Sequence, residues 1–163
     1  MTTFYCDSSA LVKWYISETG SPRVEAILEE PDANGQPLHQ IAIAKIGIVE
    51  IAAAFTRRER MGHIPTQIRL ELYKRLLTDK DHRFYLLELP DETYRLASDL
   101  TQRAVLRGYD AVHLAAAIKL NQHLVTFDLP SLIFLSADAN LCATAVAEGL
   151  NTDNPNNYPS PLR

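Results

Sequence analysis

Four acidic residues stand where the sequence predicts that strands end, helices begin or an apolar helix carries a single charge. Asp7 follows the short apolar run 4–6, Asp110 comes shortly after a glycine, and Asp138 follows another strand-like run. Glu50 lies inside a helix pattern that is otherwise strongly apolar. In an open α/β sheet, ligands bind beyond the carboxyl ends of the strands. Acids in such places can hold a metal ion or act on a substrate at the edge of the sheet.

Each of these acids also has a plain structural interpretation. An Asp at the start of a helix most often caps it, which would account for Asp7, Asp110 and Asp138. A Glu on a helix is most often a solvated residue at the flank of the apolar face, which would account for Glu50. A chain with 20 acidic residues places some of them at helix starts by chance. The residues alone therefore leave both interpretations open.

The elements that would position these acids alternate in type along the chain. Strand patterns cover residues 4–6, 38–43, 83–89, 123–127 and 132–135, with a short edge strand near residue 150. Helix patterns cover residues 8–17, 45–60, 66–78, 92–107, 111–121 and 139–148, and another helix begins at residue 21. Asp91 is the predicted N-cap of helix 92–107 and Gly108 is predicted to end it. The last two strand patterns would form a hairpin or one interrupted strand. This alternation favours an α/β fold with a central parallel sheet.

The composition is that of an ordinary globular domain. The 163 residues suffice for one domain with a sizeable core, and 47% of them are apolar. The net charge of −4 gives no general attraction to nucleic acid, so any such binding needs local basic patches. Cys6 and Cys142 fall in strand and helix patterns and are predicted to be buried free thiols, which suits a reducing cytoplasm. No basic segment precedes an apolar one at the N-terminus, so we expect no signal peptide.

Four motifs, each containing one of the acids, resemble in type, order and spacing those of PIN-domain nucleases: residues 4–13, 47–54, 107–117 and 134–141. The third is the most specific of the set. The resemblance runs from residue 2 to about residue 150, and among PIN proteins it is strongest to the VapC-type toxins of prokaryotic toxin–antitoxin pairs. It implies a three-layer α/β/α sandwich with a central, mostly parallel sheet of four to five strands. It also implies one PIN-like domain over residues 1–150, followed by a polar tail rich in Pro and Asn over residues 151–163.

The resemblance implies a metal-dependent endoribonuclease that hydrolyses RNA phosphodiester bonds. Mg²⁺ or Mn²⁺ would be the cofactor, because both prefer oxygen ligands. The implied catalytic and metal-binding residues are the four acids: Asp7, Glu50, Asp110 and Asp138. Ser9 and Ser136 are predicted to orient carboxylates or waters around them. The family role is assigned to Asp138 rather than to the nearby Asp128, whose surroundings do not match the fourth motif.

Several other side chains have two interpretations. Residues predicted to contact RNA phosphates are Lys13, Arg57, Arg58 and Arg107, although a solvated surface is the usual place for any single cation. His113 follows Asp110 by one helical turn, where it is either a catalytic group or, more commonly on an apolar helix, a hydrogen-bonded core residue.

The predicted partners are an RNA substrate, a small cognate antitoxin and a second copy of the chain. Apolar faces for a homodimer or higher oligomer are Ile68, Leu72 and Leu76, or residues 48–55, which are more simply core. The alternative function is a non-catalytic PIN-fold module that binds RNA or protein. A phosphoacceptor receiver or an Asp-x-Asp phosphatase is disfavoured, because Asp7 is followed by two serines and has no acidic neighbour.

Overall fold

The computed structural model describes residues 1–158 and contains one parallel sheet of five short strands. The strands are β1 (Thr3–Cys6), β2 (Gln40–Ala44), β3 (Phe84–Leu87), β4 (Ile133–Leu135) and β5 (Asn151–Asp153). Their spatial order is β3-β2-β1-β4-β5, and all four pairings are parallel. The first strand is therefore the central one, and the chain leaves it toward β2 on one side before returning to β4 on the other.

Seven α-helices within residues 1–158 cover both faces of the sheet. They are α1 (Ser8–Tyr15), α2 (Ser21–Glu29), α3 (Lys45–Arg60), α4 (Thr66–His82), α5 (Asp91–Arg103), α6 (Gly108–Thr126) and α7 (Ala139–Ala147). A short 3₁₀ helix follows at Pro155–Asn157. None of the helices described combines the length and apolar character that a membrane-spanning segment needs.

Side chains that alternate along the strands divide the interior into two apolar cores. Phe4 and Cys6 of β1 face a core shared with α1, α2, α3 and α4. Tyr5, between them, faces a second core shared with α5, α6 and α7. This alternation is the period-two pattern of a strand buried on both faces. The result is the predicted α/β/α sandwich, and the two cysteines are buried free thiols as predicted.

The register of the central strands brings distant residues together at one edge. Cys6 pairs with Leu135 across β1 and β4, so the next residue of each strand, Asp7 and Ser136, emerges at the same place. The Asp7 backbone N–H donates to the Leu135 carbonyl at 3.1 Å, which extends this pairing past the strand end. The sheet reverses its winding direction between β1 and β4, and such a switch point is where open α/β sheets form a crevice.

Three predictions about residues 91–127 were wrong, and two of them involve α6. Residues 123–126 form the last turn of this helix and Phe127 is its C-cap, so they are not a strand and no hairpin forms with residues 132–135. In the preceding helix, α5, Asp91 is the first residue and not the N-cap, which is Pro90, and the helix ends at Arg103. Gly108 is the first residue of α6 and not the terminator of α5, because residues 104–107 form the extended connection between them.

The segment predicted as a polar tail supplies an edge strand. β5 pairs in parallel with β4, and Arg23 of α2 donates to the Asp153 carboxylate at 2.7 Å. The Asn156 side-chain amide donates to the Ala137 carbonyl at 3.2 Å, which holds the 3₁₀ helix beside the end of β4. The rest of the predicted tail, residues 159–163, lies outside the described residues.

Candidate active site

A cleft of about 750 Å³ opens where β1 and β4 end. All four predicted acids line it: Asp7, Glu50, Asp110 and Asp138. They come from four places in the chain, namely the end of β1, the middle of α3, the first turn of α6 and the N-cap of α7. The fold therefore gathers carboxylates that are far apart in the sequence around one space.

Asp7 is the most buried of these acids, at 3% exposure. Its carboxylate caps α1 by accepting the Ala10 backbone N–H at 2.9 Å, so the capping interpretation also holds. Burial raises the pKa of this carboxyl, while His113 nearby and the hydrogen bonds to the carboxylate act in the opposite direction. Burial thus disfavours the charged form of Asp7, and a cation bound nearby would favour that form again.

Ser9 and Ser136 both donate their hydroxyl protons to Asp7. Ser9 Oγ lies 2.7 and 2.9 Å from the two carboxylate oxygens, and Ser136 Oγ lies 2.7 Å from Oδ2. Each hydroxyl oxygen also accepts a backbone N–H, from Ala137 at 3.0 Å and from Asp138 at 3.1 Å. Since a hydroxyl has one proton to donate, these backbone contacts leave it for the carboxylate. These hydrogen bonds from the two serines fix the orientation of the Asp7 carboxylate.

Asp110 and Asp138 both line the cleft and are near enough for their charges to interact. Asp138 uses Oδ1 to accept the backbone N–H groups of Asn140 and Leu141 at 2.8 and 3.0 Å, which caps α7. No hydrogen bond reaches the Asp110 carboxylate from any side chain or backbone group in residues 1–158. Burial raises the pKa of Asp110, and repulsion from Asp138 and Asp7 raises it further. Asp110 is thus a carboxylate whose charge is opposed by its neighbours and is free to accept a ligand.

Glu50 is hydrogen-bonded by His113, which is buried and does not line the cleft. The imidazole Nε2 lies 2.6 Å from Glu50 Oε2, and Nδ1 lies 2.9 Å from the Tyr5 hydroxyl. His113 is 1% exposed and does not line the cleft, so it is the hydrogen-bonded core residue that was one of its two interpretations. The sequence singled out Glu50 and His113 separately but gave no sign of their contact. It missed Tyr5 altogether, because a strand tyrosine carries no signal of its partner.

The donor chemistry of the cleft fits a divalent metal ion such as Mg²⁺ or Mn²⁺, which takes carboxylate oxygens and keeps several waters. A bound cation would accept the unused lone pairs of the Asp110 carboxylate and would relieve its repulsion by Asp7 and Asp138. Among residues 1–158, no group of three or more His, Cys, Asp or Glu side chains stands in position to hold a metal ion directly. The arrangement thus fits a hydrated ion held by one or two carboxylates rather than a closed cage.

The four predicted phosphate-binding cations all line the cleft but differ in their availability. Lys13 is only 5% exposed and pairs with Glu18 at 2.8 Å, and Arg58 pairs with the same carboxylate. Arg57 and Arg107 are exposed and make no ion pair with any residue in 1–158. These two arginines are therefore the ones whose charge remains directed at the open space.

Asp128 lies away from the cleft. It follows the C-terminal end of α6, with φ of 56°, whereas Asp110 occupies the first turn of the same helix. At 1.5 Å per residue, the helix from Asp110 to its end at Thr126 is roughly 24 Å long, and Asp128 lies beyond that end. The assignment of the fourth acidic position to Asp138, and not to Asp128, agrees with this geometry.

Comparisons with known proteins identify the family. A family model described as "PIN domain" matches residues 4–129, about three quarters of the chain. Two crystal structures share the fold: PAE2754 from Pyrobaculum aerophilum (TM-score 0.57, 20% identity) and FitAcB from Neisseria gonorrhoeae (TM-score 0.60, 15% identity). Each alignment covers 93% of this chain, with 89% and 97% of the respective chains covered in turn. No curated protein matched. At these identities the two structures support the fold alone.

Proposed function

The chain belongs to the PIN domain family, whose members are generally nucleases, and on that basis we propose that it is a metal-dependent endoribonuclease. The observation that supports this proposal most directly is the convergence of Asp7, Glu50, Asp110 and Asp138 on one cleft. A carboxyl group such as that of Asp110, whose pKa is raised by burial and by neighbouring acids, is costly to a scaffold and is expected where a cation binds. The site lies at the strand ends, where this class of fold binds ligands.

The surroundings of each residue in the cleft suggest its role in the proposed reaction. Asp7 and Asp110 are proposed as the main metal ligands, with Asp138 and Glu50 contacting the ion directly or through its waters. A bound Mg²⁺ or Mn²⁺ lowers the pKa of a coordinated water and neutralises charge on the scissile phosphate. Ser9 and Ser136 keep the Asp7 carboxylate in one orientation for that task. The proposed substrate is RNA, whose backbone phosphates Arg57 and Arg107 would contact at the rim.

The decisive experiment compares an aspartate in the first turn of α6 with one just beyond the other end of that helix. Asp110→Asn keeps the shape of the side chain and removes a ligand charge from the cleft, whereas Asp128→Asn makes the same change at the far end of α6. With Mg²⁺ and a labelled RNA, we expect Asp110→Asn to lower the cleavage rate on the order of a hundredfold or more, since metal stabilisation contributes several kcal/mol. We expect Asp128→Asn to stay within about twofold of wild type, as surface changes usually do.

The same assay contains the outcomes that contradict the proposal. Cleavage that persists in EDTA would exclude a divalent metal as the cofactor. An equal loss in both variants would show that the cleft is not the catalytic centre. RNA binding without cleavage under any divalent ion would favour the alternative, a non-catalytic PIN-fold module.

The rim arginines give an independent test of the substrate class. Replacing Arg57 with Ala removes an exposed cation that has no ion pair within residues 1–158. RNA affinity should fall, and the slope of log K against log salt concentration should decrease by about one, because one phosphate contact releases about one counterion. Arg60→Ala, three residues further along α3 and outside the cleft lining, is the matched control. Equal slopes for both variants would remove Arg57 from the proposed RNA contact.

The finer assignment, that the protein is a VapC-type toxin, is supported by the motif pattern and by the likeness to FitAcB. With this assignment we also propose a small cognate antitoxin, a homodimer or higher oligomer, and a cytoplasmic location, which suits the two free thiols.

The apolar surface for dimerisation is narrowed by burial. Leu76 and Phe55 are unavailable for a contact between copies because they are buried, at 0% and 1% exposure. Val49 and Tyr73 remain, since they are exposed along a groove of about 330 Å³ between α3 and α4. Light scattering on wild type and on Val49→Asp would test whether that groove holds two copies together.

A further inference from the structure

We propose that His113 is a positioning residue that sets the orientation of the Glu50 carboxylate in the cleft, and that Tyr5 fixes the imidazole in turn. This inference rests on the nuclease activity proposed above. His113 does not line the cleft, so it is not placed to touch the substrate. Its hydrogen-bond contact with the cleft is made through Glu50, whose side chain is 23% exposed and lines the cleft.

The three side chains form a continuous hydrogen-bonded row. The Tyr5 hydroxyl contacts His113 Nδ1 at 2.9 Å, and His113 Nε2 contacts Glu50 Oε2 at 2.6 Å. Tyr5 is 0% exposed and the His113 side chain is 2% exposed, so water does not compete for either bond. Buried polar networks that are fully satisfied hold their members in one geometry.

The chemistry of the groups assigns the direction of the row. An ionised carboxylate only accepts hydrogen bonds, so the Nε2 atom of His113 carries the proton that it donates to Glu50. In a neutral imidazole the other nitrogen then accepts, so the Tyr5 hydroxyl donates to Nδ1. The Tyr5 hydroxyl is fully buried and has one proton, and the 2.9 Å contact with Nδ1 is the one side-chain hydrogen bond that it makes within residues 1–158. Tyr5 thereby selects the tautomer that points a donor at Glu50.

The backbone of α3 leaves space for this imidazole. A Cβ placed on Gly47 would lie 3.2 Å from His113 Cε1 and 2.6 Å from Ile43 Cγ1. Gly47 is one turn before Glu50 on the same helix, so the bare turn lies next to the carboxylate that His113 holds. Glycine in a helix interior costs about 1 kcal/mol relative to alanine, and here close packing against His113 and Ile43 accounts for it.

The row also joins the elements that carry three of the four acids. Tyr5 lies two residues before Asp7 on β1, and His113 lies one turn after Asp110 on α6. Glu50 brings in α3. Groups that orient metal-binding side chains from behind typically change activity by about 10- to 100-fold when they are removed. We therefore assign to His113 an effect on the catalytic step and not on RNA binding.

Two substitutions of similar size separate positioning from packing. His113→Gln keeps an N–H donor near the place of Nε2, whereas His113→Leu fills the space without a donor. We expect the Leu variant to lose about 10- to 100-fold in kcat with KM for RNA within about threefold, and the Gln variant to recover most of that loss. His123→Leu, on the exposed end of the same helix, is the control and should leave kcat unchanged. Equal kcat values for the Gln and Leu variants, both folded by circular dichroism, would overturn the proposal.

A second measurement does not depend on activity. In ¹⁵N-labelled protein without metal, the imidazole of His113 should show the Nε2–H tautomer with a proton shifted downfield by the carboxylate. Glu50→Ala should move that proton upfield and Tyr5→Phe should weaken the tautomer preference, while His123 serves as an unchanged internal reference. If wild type does not cleave RNA but these shifts occur, the nuclease proposal fails and the Tyr5–His113–Glu50 row stands. If the His113 signal is indifferent to Glu50→Ala, the row itself is refuted.

Discussion

Replacing Ser136 with Ala should destabilise the folded protein by removing a buried hydrogen bond to a charge. Ser136 is 0% exposed and donates to Asp7 Oδ2 at 2.7 Å. A hydrogen bond to a charged group contributes about 1.5–3 kcal/mol, and no water reaches this place to substitute for it. Ser9 and the Ala10 backbone N–H still bond the carboxylate in the variant, so we expect a loss of about 2 kcal/mol in the free energy of unfolding.

The effect should depend on pH in a direction that the pKa of Asp7 fixes. Burial raises this pKa, so the folded protein binds a proton on Asp7 more tightly than the unfolded chain does. The stability that this protonation contributes is complete below the pKa of the unfolded chain and is lost as pH rises through the folded pKa. The Ser136 hydrogen bond lowers the folded pKa, and its removal raises it further. The variant therefore loses more stability than wild type on the way to pH 7. The difference between them should be largest at neutral pH and should shrink in acid.

Urea unfolding at several pH values, in EDTA, measures this difference. Ser98→Ala is the matched control, because Ser98 is exposed on α5 and its hydroxyl donates to the Tyr94 carbonyl of its own helix. That change should stay within about 0.5 kcal/mol at every pH. A Ser136→Ala loss no larger than the control, or one that grows as pH falls, would refute the role assigned to this hydroxyl.

Two further predictions concern other acids. Asp110→Asn should raise the melting temperature at pH 7 in EDTA, because burial and repulsion from neighbouring acids raise the pKa of Asp110 and make its ionised form unfavourable. The gain in melting temperature should vanish below about pH 4, where the aspartate is protonated in the unfolded chain as well. A lower melting temperature at pH 7 would contradict this prediction. Asp79→Ala should cost about 3 kcal/mol in urea unfolding, because Trp14 Nε1 and the Tyr15 hydroxyl both donate to Asp79 Oδ2, at 3.0 and 2.9 Å. Asp81→Ala, on the same helix but 59% exposed, is its control, and equal costs would show that the Asp79 contacts do not stabilise the protein.

The sequence predicted elements best where the apolar period was clear. Helix α3 has the predicted bounds, since its apolar residues recur on one face and arginines gather at its C-terminal end. Helix α6 is apolar on most sides, so it offers no period, and its C-terminal end has Val125 in the last turn and Phe127 at the C-cap, which are residue types that favour strands. Tertiary burial of Leu124 and hydrogen bonds from the Phe127 N–H keep those turns helical. Neither is visible in a local pattern.

The candidate site divides in the same way. The acids could be predicted because each occupies a motif with a local context of its own. The bond between Tyr5 and His113 could not, because the two residues are 108 positions apart and neither is unusual in its own element. The acidic residues that line the cleft could thus be predicted from the sequence, whereas the contacts that orient them depend on how the layers pack.

The place of β1 in the centre of the sheet has a consequence for how the protein is made. Synthesis delivers β1 first, yet one of its two neighbours, β4, is more than a hundred residues downstream. Until the ribosome has released β4, the central strand lacks a partner along one edge, and Ser136 and Asp138 have not yet joined Asp7. Pairing over such a span is slow, since a long loop must close before the contacts form. A partly synthesised chain therefore lacks the acidic cleft, because the cleft is assembled only when translation of the sheet is nearly finished.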